Sequence, residues 1–408
     1  PKPQTPNPKP QTPNPMGCVI SRVVQLRIME YQDKESFLRS ALRDSLGNLQ
    51  VKSKVEDLLE KPVVRGPDLA KKHTIETLIE GYKGIGIQAS VMHKAIEVIN
   101  AMYNWKLEDQ DRKKLDYDDD DLQDFSKRKC LVFLGCSSNL MASGTREVIK
   151  YLLKYRMADV FVTPAGGVEE DLIRCFGEYK VGTYEPEVPQ DHERIGNILV
   201  PRAAQDKFKE WFKAQIRLLH SRQDINRGIV FTPSMIISEL GRSINDDTSC
   251  LHWAAMNDIP VFSPAFTDGY IGECLFEYNL EHPGFITDVA KDIFLIDKTP
   301  HRTKCTGAII FGGGIIKHHI LNANLMRNGV NYGIFVNTGS EWEASDSGAK
   351  PNEALSWGKI RVDAEFAKVY GDANVVAPLL VAGSVLRDKE RFRRDKEWKE
   401  SKEKKVRK

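Results

Sequence analysis

GAIIFGGGIIKHHILNANLM (residues 307–326) reads as a short buried strand that ends in three glycines and enters a helix. The same grammar recurs along the chain. CLVFLG (130–135) leads into Ser137-Ser138-Asn139, DVFVT (159–163) into Pro164-Ala165-Gly166-Gly167, PVFS (260–263) into Thr267-Asp268-Gly269, and YGIFV (332–336) into Asn337-Thr338-Gly339. Apolar runs without polar alternation are buried on both faces. The repeat of strand, small-residue loop and helix therefore predicts an α/β fold, a Rossmann-like parallel sheet flanked by helices. Such sheets bind ligands beyond the carboxyl ends of their strands, where these loops fall.

Outward from this core, residues 75–104 carry a helical pattern interrupted at Gly84-Ile85-Gly86, and 33–59 reads as charged amphipathic helix that ends before Pro62. The expected organisation is an N-terminal helical arm (16–63), a catalytic domain (64–386) and a charged tail (387–408). A charged insertion at 106–129 carries Asp118-Asp119-Asp120-Asp121; it lacks the glycine and terminal glutamate of a calcium loop and reads as solvated. Residues 1–15 repeat PKPQTPN, an extended, disordered proline-rich tag or linker. From Met16, Gly17-Cys18 fits a myristoylation pattern, against the plainer reading of a frayed arm.

A net charge of +2 gives no electrostatic case for nucleic acid or membrane, and no apolar run reaches spanning length. The seven cysteines are scattered with no C-x-x-C pair, which points to reduced thiols, a cytoplasmic protein and no metal site.

Neither the G-x-G-x-x-G nor the Walker fingerprint occurs, yet Gly312-Gly313-Gly314 ahead of a helix can turn backbone N–H groups toward a pyrophosphate. His318 and His319 point about 100° apart on that helix, so at most one serves the site, as a general base. Glu169 and Glu170 follow the Pro164 loop, where the helix dipole alone would favour acids. Asp268 and Glu273 add acids on another loop. Asp372-Ala373 follows a strand expected at 367–370 and reads equally as a ribose contact or a turn. SWGKI (356–360) sets Lys359 beside an indole and a glycine, with Glu341, Glu343, Asp346 and Glu353 upstream. The indole strips hydration and favours the nucleophilic free amine, while carboxylates favour the ammonium but would hold a cationic substrate. These parts suggest oxidation of a polyamine followed by imine transfer.

SDSGAKPNEALSWGKIRVDA (345–364), FGGGIIKHHILNANLMRNG (311–329), VTPAGGVEEDLI (162–173), RIGNILVP (194–201) and FSPAFTDG (262–269) resemble the deoxyhypusine synthases, over residues 64–382. The resemblance implies an NAD-dependent tetramer with sites built across a dimer interface. It implies oxidation of spermidine with loss of 1,3-diaminopropane, and aminobutyl transfer to an enzyme lysine and then to a lysine of the translation factor 5A precursor. By position, Lys359 would form the imine and His318 act as base. Glu169, Glu170, Glu273, Asn322, Ser345, Asp346, Glu353 and Trp357 would hold spermidine. Ser138, Asn139, Leu140, Ala165, Gly166, Glu170, Asp268, Gly313, Thr338, Gly339, Asp372 and Ala373 would hold NAD. Pro164 stands where the family commonly has threonine, Glu273 for aspartate and Ala344 for glycine. The resemblance also leaves open a homotetramer or a heterotetramer with a paralogue that activates or is activated by it, and homospermidine synthase as a related activity.

Overall fold

The computed structural model describes residues 61–107, 129–185 and 187–385. From Val64 these belong to one compact unit. The proline-rich segment, the expected helix over 33–59, the aspartate run and the charged tail lie outside the described residues.

α1 (Ile75–Ile85) begins at Thr74, whose hydroxyl accepts from the Thr77 amide at 3.3 Å while the Thr77 hydroxyl accepts from the Thr74 amide at 2.9 Å. Gly86, at φ 91°, then turns the chain into α2 (Ile87–Asn104), the break read at 84–86. Lys106 and Lys129 form an antiparallel bridge, so the insertion leaves and returns at one point. The closure cost of an insertion grows only slowly with its length, so one joined at a single point need not disturb the sheet.

The body alternates as expected: β1 (Leu131–Cys136), α3 (Ser138–Ala142), α4 (Arg146–Lys154), β2 (Val160–Val162) and α5 (Ala165–Ile173). Next come β3 (Lys180–Val181), β4 (His192–Ile195) and β5 (Ile198–Pro201), then α6 (Arg202–Arg222), α7 (Pro233–Ile244) and α8 (Cys250–Met256). β6 (Val261–Phe262), α9 (Gly269–Glu281), α10 (Val289–Lys298), β7 (Thr306–Phe311) and α11 (Ile315–Leu325) follow. β8 (Val330–Asn337), α12 (Pro351–Ser356), β9 (Ile360–Tyr370) and α13 (Ala373–Gly383) complete the described chain.

The main sheet has the order β6-β2-β1-β7-β8-β9, and every pairing is parallel. The chain steps outward from β1 through β2 to β6, then restarts on the other side of β1 with β7. The resulting switch point lies at the carboxyl ends of β1 and β7, the place where such sheets bind ligands. β1, β2 and β7 are buried throughout because apolar clusters cover both faces of the sheet. One cluster takes Met102 of α2, Val168 of α5, Leu251 of α8 and Leu380 of α13. The other takes Phe133 and Phe335 of the strands with Ile296 of α10 and Ile316 and Ile320 of α11. α5 and α11 thus lie on opposite faces.

Two features depart from the sequence reading. β9 starts at Ile360, well before the expected strand at 367–370, and its pairing with β8 shifts register between Val330 and Tyr332. RIGNILVP forms a hairpin in a separate antiparallel sheet, β3-β5-β4, turning at Gly196 (φ 59°). Strands this short and half-exposed carry too little period-2 pattern to be read.

Candidate active site

Because the sheet is parallel, the loops after its strands share one edge. Ser138, Asn139 and Leu140 follow β1; Ala165 and Gly166 follow β2; Asp268 follows β6; Gly313 follows β7; Thr338 and Gly339 follow β8; Asp372 and Ala373 follow β9. The loops pack backbone to side chain. A Cβ on Gly166 would lie 2.8 Å from Ser138 Cβ, and one on Gly312 (φ 94°) 2.6 Å from Ser137 Oγ. The Gly314 N–H donates to Ser347 Oγ at 2.7 Å, so that amide of the glycine run is taken by the 345–348 loop. Asp372 Oδ1 caps α13, accepting from the Asn374 backbone and side-chain nitrogens at 2.8 and 3.0 Å. Asn374 Oδ1 in turn accepts from Ser143 Oγ at 2.7 Å and Thr145 Oγ1 at 2.8 Å, tying the end of β9 to the turn after α3. On the same edge, Ser263 Oγ and Asn337 Nδ2 are buried without hydrogen-bond partners. Buried donors left unmet on this edge fit a polar, multi-acceptor ligand such as a dinucleotide.

α5 carries three consecutive acids, Glu169, Glu170 and Asp171. The helix starts at Ala165, so they lie past its first turn and the dipole does not account for them. At about 100° per residue they point three ways. Glu169 Oε2 accepts the Ile271 N–H at 3.0 Å and so caps α9, whose own Asp268 makes no side-chain cap bond. Gly269 is needed there, since a Cβ would sit 2.7 Å from Glu169 Oε1. Glu170 Oε2 accepts the Tyr179 hydroxyl at 2.7 Å. Asp171 is fully buried, 2.6 Å from Arg146 Nε, and its oxygens also accept Ser249 Oγ at 2.6 Å and the Cys250 and Leu251 N–H groups, both at 2.9 Å.

Burial is the main cause that pushes Glu169 up to about 7, with Glu170 and Asp268 adding like charge against the Ile271 hydrogen bond. Between the ordinary glutamate value and about 7 the folded state therefore holds more protons than the unfolded one, and stability falls as pH rises through that window. Urea unfolding at pH 5 and pH 8 should show the native chain losing about 1–3 kcal/mol more than a Glu169→Gln variant. Parallel pH dependence in the two proteins would refute this.

On the opposite face, His318 Nε2 accepts from Asn322 Nδ2 at 2.7 Å, one turn along α11. Its Nδ1 lies 3.1 Å from Asp346 Oδ2 but is not aligned for a hydrogen bond. This arrangement leaves the proton on Nδ1 and the basic lone pair on Nε2. His319 is held neutral, pushed down to about 4 by burial and by His318, so only one of the pair is suited to be the base.

Lys317 went unnoticed in the sequence. Only 5% exposed, it donates to the backbone oxygens of Asp346 and Ala349, pinning the loop that carries Asp346. Burial, aided by Lys368 and Lys359, pushes it down to about 8. A lysine inside the apolar run IIKHHIL was the available signal. Ser345 Oγ accepts the Gly348 N–H at 3.1 Å and shapes the same loop. Ala344 sits at φ 52°, where a Cβ costs roughly 1 kcal/mol relative to glycine.

Lys359 is 7% exposed and its Nζ lies 4.9 Å from the Trp357 ring centroid. The acids expected around it are engaged elsewhere. Glu341 pairs with Lys350 at 2.9 Å, Asp346 lies beside His318, and Glu353 acts on Lys317. Among the described residues no carboxylate pairs with Lys359. Its backbone is pinned by Lys359 N to Ala354 O at 3.0 Å and Val330 N to Lys359 O at 3.2 Å, after Gly358 turns the chain at φ 72°. Trp357 is 61% exposed, leaving the rest of its indole free to cover a ligand.

Residues 77–384 match the family model described as deoxyhypusine synthase. The chain belongs to that family. It is 45% identical to a probable deoxyhypusine synthase of Dictyostelium discoideum over 80% of this chain and 87% of that protein. It is 41% identical to deoxyhypusine synthase of Senecio vernalis over 78% of this chain and 88% of the other. The crystal structure of a deoxyhypusine synthase homologue from Entamoeba histolytica superposes with a TM-score of 0.60 at 30% identity, covering 79% of this chain and 97% of that one. The activity is accordingly that of a deoxyhypusine synthase, a transferase of hypusine biosynthesis, in a family that uses NAD.

Within this deoxyhypusine synthase fold, the expected spermidine ligands fall into two groups. Glu169, Glu170 and the exposed Glu273 belong to α5 and α9, beside β2 and β6. His318, Asn322, Asp346, Glu353, Trp357 and Lys359 belong to α11 and the 345–359 segment, beside β7 to β9 and on the other face. β6 and β9 are opposite edges of the sheet, roughly 24 Å apart at ~4.8 Å per strand.

Proposed function

We propose that the two groups are halves of spermidine sites completed between copies of this chain, in a homotetramer with NAD on the carboxyl edge. Lys359 carries the aminobutyl group to the lysine of the translation factor 5A precursor. The observation that carries this reading is Lys359 itself: buried, under an indole and, among the described residues, paired with no carboxylate.

NAD, when bound, would supply the hydride acceptor for the carbon beside the secondary amine of spermidine and, as NADH, the hydride that reduces the final imine on the acceptor lysine. Ser138, Asn139, Ala165, Gly166, Asp268, Thr338, Gly339 and Asp372 line its edge, and Glu170 stands between the two ligands. Glu169, Glu170 and Glu273 pair with the ammonium groups at one end; Asp346 and Glu353 do so at the other. His318 Nε2 takes the proton from the amine under oxidation, with Asn322 yielding its hydrogen bond to the substrate. Trp357 covers the methylenes and keeps water from Lys359. The Lys359 amine then adds to the oxidised carbon, 1,3-diaminopropane leaves, and the acceptor lysine displaces Lys359 in the same way. Family membership and six unpaired cysteines among the described residues favour the cytoplasm. No described helix is long and apolar enough to cross a membrane.

With NAD, spermidine and the purified precursor, mass spectrometry should find one aminobutyl group on a precursor lysine. Transfer to putrescine but never to the precursor would instead make the chain a homospermidine synthase. A second reading, full activity only beside a paralogue, draws on two observations. Pro164 heads α5 without the side-chain cap a threonine would supply, and Ala344 holds a glycine-type conformation. Turnover that appears only on adding the paralogue would select it.

A further inference from the structure

RIGNILVP is a motif that the proposed chemistry leaves without a task. It builds β4 and β5, and β5 pairs with β3 through Lys180↔Leu199 and Val181↔Ile198. The Gly182 N–H also donates to Asn197 O at 2.7 Å. This small sheet holds the residue just before β3, Tyr179, against α5. The Tyr179 hydroxyl donates to Glu170 Oε2 at 2.7 Å. The Arg174 guanidinium faces the Tyr179 ring at 5.5 Å and donates to Ala142 O at 3.3 Å and Ser143 O at 2.8 Å. Those carbonyls close α3, the helix that begins with Ser138, Asn139 and Leu140.

We propose that Tyr179 is a positioning residue for the reaction, its hydroxyl locking the Glu170 carboxylate in the orientation that meets both ligands. This rests on the reading above that Glu170 stands between polyamine and cofactor. A carboxylate on a side chain with three rotatable bonds would otherwise sample several directions, and a charge-assisted hydrogen bond to one oxygen leaves the other directed at the ligands. Arg174, over the Tyr179 ring, reaches on to the carbonyls that close α3, so the tyrosine is held between the carboxylate and the expected cofactor loop. The charged and titratable groups facing Glu170 are Tyr179, Arg174, Glu193 of β4, and Glu169 on its own helix. Burial raises the Glu170 carboxyl and Tyr179 and Arg174 oppose that rise, so losing the hydroxyl disfavours the anion that binds an amine.

The test is a double-mutant cycle of Tyr179→Phe and Glu170→Gln, read as kcat/KM for spermidine across pH on the assembled enzyme. Tyr179→Phe keeps the ring. It should lower kcat/KM by about 10–30-fold at neutral pH, mainly through KM, and move the acid limb of the profile to higher pH. In the Glu170→Gln background the same substitution should change kcat/KM less than about threefold. Equal losses in both backgrounds, or a loss with an unmoved acid limb, would overturn the proposal and leave Tyr179 a packing residue. Native turnover measured alongside keeps the outcomes separate: an inactive native enzyme rejects the functional reading, whereas an active one with an additive cycle rejects only Tyr179.

Discussion

Lys359→Arg should abolish both borohydride-trapped enzyme adduct and product, lowering turnover by roughly four orders of magnitude or more. Arginine keeps the positive charge and most of the length, but its guanidinium does not deprotonate and cannot form an imine. The competing nucleophile is Lys317, which burial pushes down to about 8 and which is the more deeply enclosed of the two. Availability of the lone pair decides between them. Lys317 spends its ammonium protons on the Asp346 and Ala349 carbonyls, and releasing one would free the loop that carries Asp346. Lys359 faces an indole and, among the described residues, pairs with no carboxylate and donates to no backbone carbonyl that anchors the loop. Peptide mapping of the trapped protein checks this directly. An adduct on Lys317, or one surviving in Lys359→Arg, would reject the assignment.

Asp171→Asn should destabilise the fold by about 3–5 kcal/mol, a large share of the 5–15 kcal/mol typical of a domain. The Arg146–Asp171 pair is buried on both sides, 3% and 0% exposed in its side chains. Asparagine leaves the guanidinium without a counter-charge, and whichever oxygen becomes the N–H₂ then meets a donor: Cys250 N and Arg146 Nε at the Oδ1 position, or Leu251 N at the Oδ2 position. The loss extends to the site. α5 is fastened to α8 through Asp171 and to α9 through Glu169, so loosening the first tie shifts the carboxylates beside it. Chemical denaturation should show the midpoint falling steeply, and a change under about 1 kcal/mol would mean the cluster is not the anchor described.

The edge of small-residue loops was legible because it depends on local order. Each run of strand, small loop and helix announces itself within some twenty residues, and parallel pairing sends every such loop to the same edge. Lys359, Trp357 and His318 were legible for a similar reason, since an unusual residue in an apolar or glycine-flanked context stands out. Lys317 was missed although it lies in the apolar run IIKHHIL, because two histidines beside it make that stretch of helix look like a solvated face. Tyr179 was missed too, since it reaches Glu170 through a small sheet whose strands are too short to show a period.

The sequence by itself determined the α/β class, the carboxyl-edge loops, the setting of Lys359 between an indole and a glycine, and the family. These follow from periodicity, chain chemistry and long motifs, all written along the chain. Only the tertiary structure decided how the charges pair. The acids upstream of Lys359 turn to Lys350, His318 and Lys317, while Glu169, Glu170 and Asp171 part toward α9, Tyr179 and Arg146. The tertiary structure also decided that the expected spermidine ligands fall on opposite faces of one sheet. Charge pairing depends on separations of a few ångströms between distant segments, set by strand order and helix rotation, and residue spacing carries no record of either.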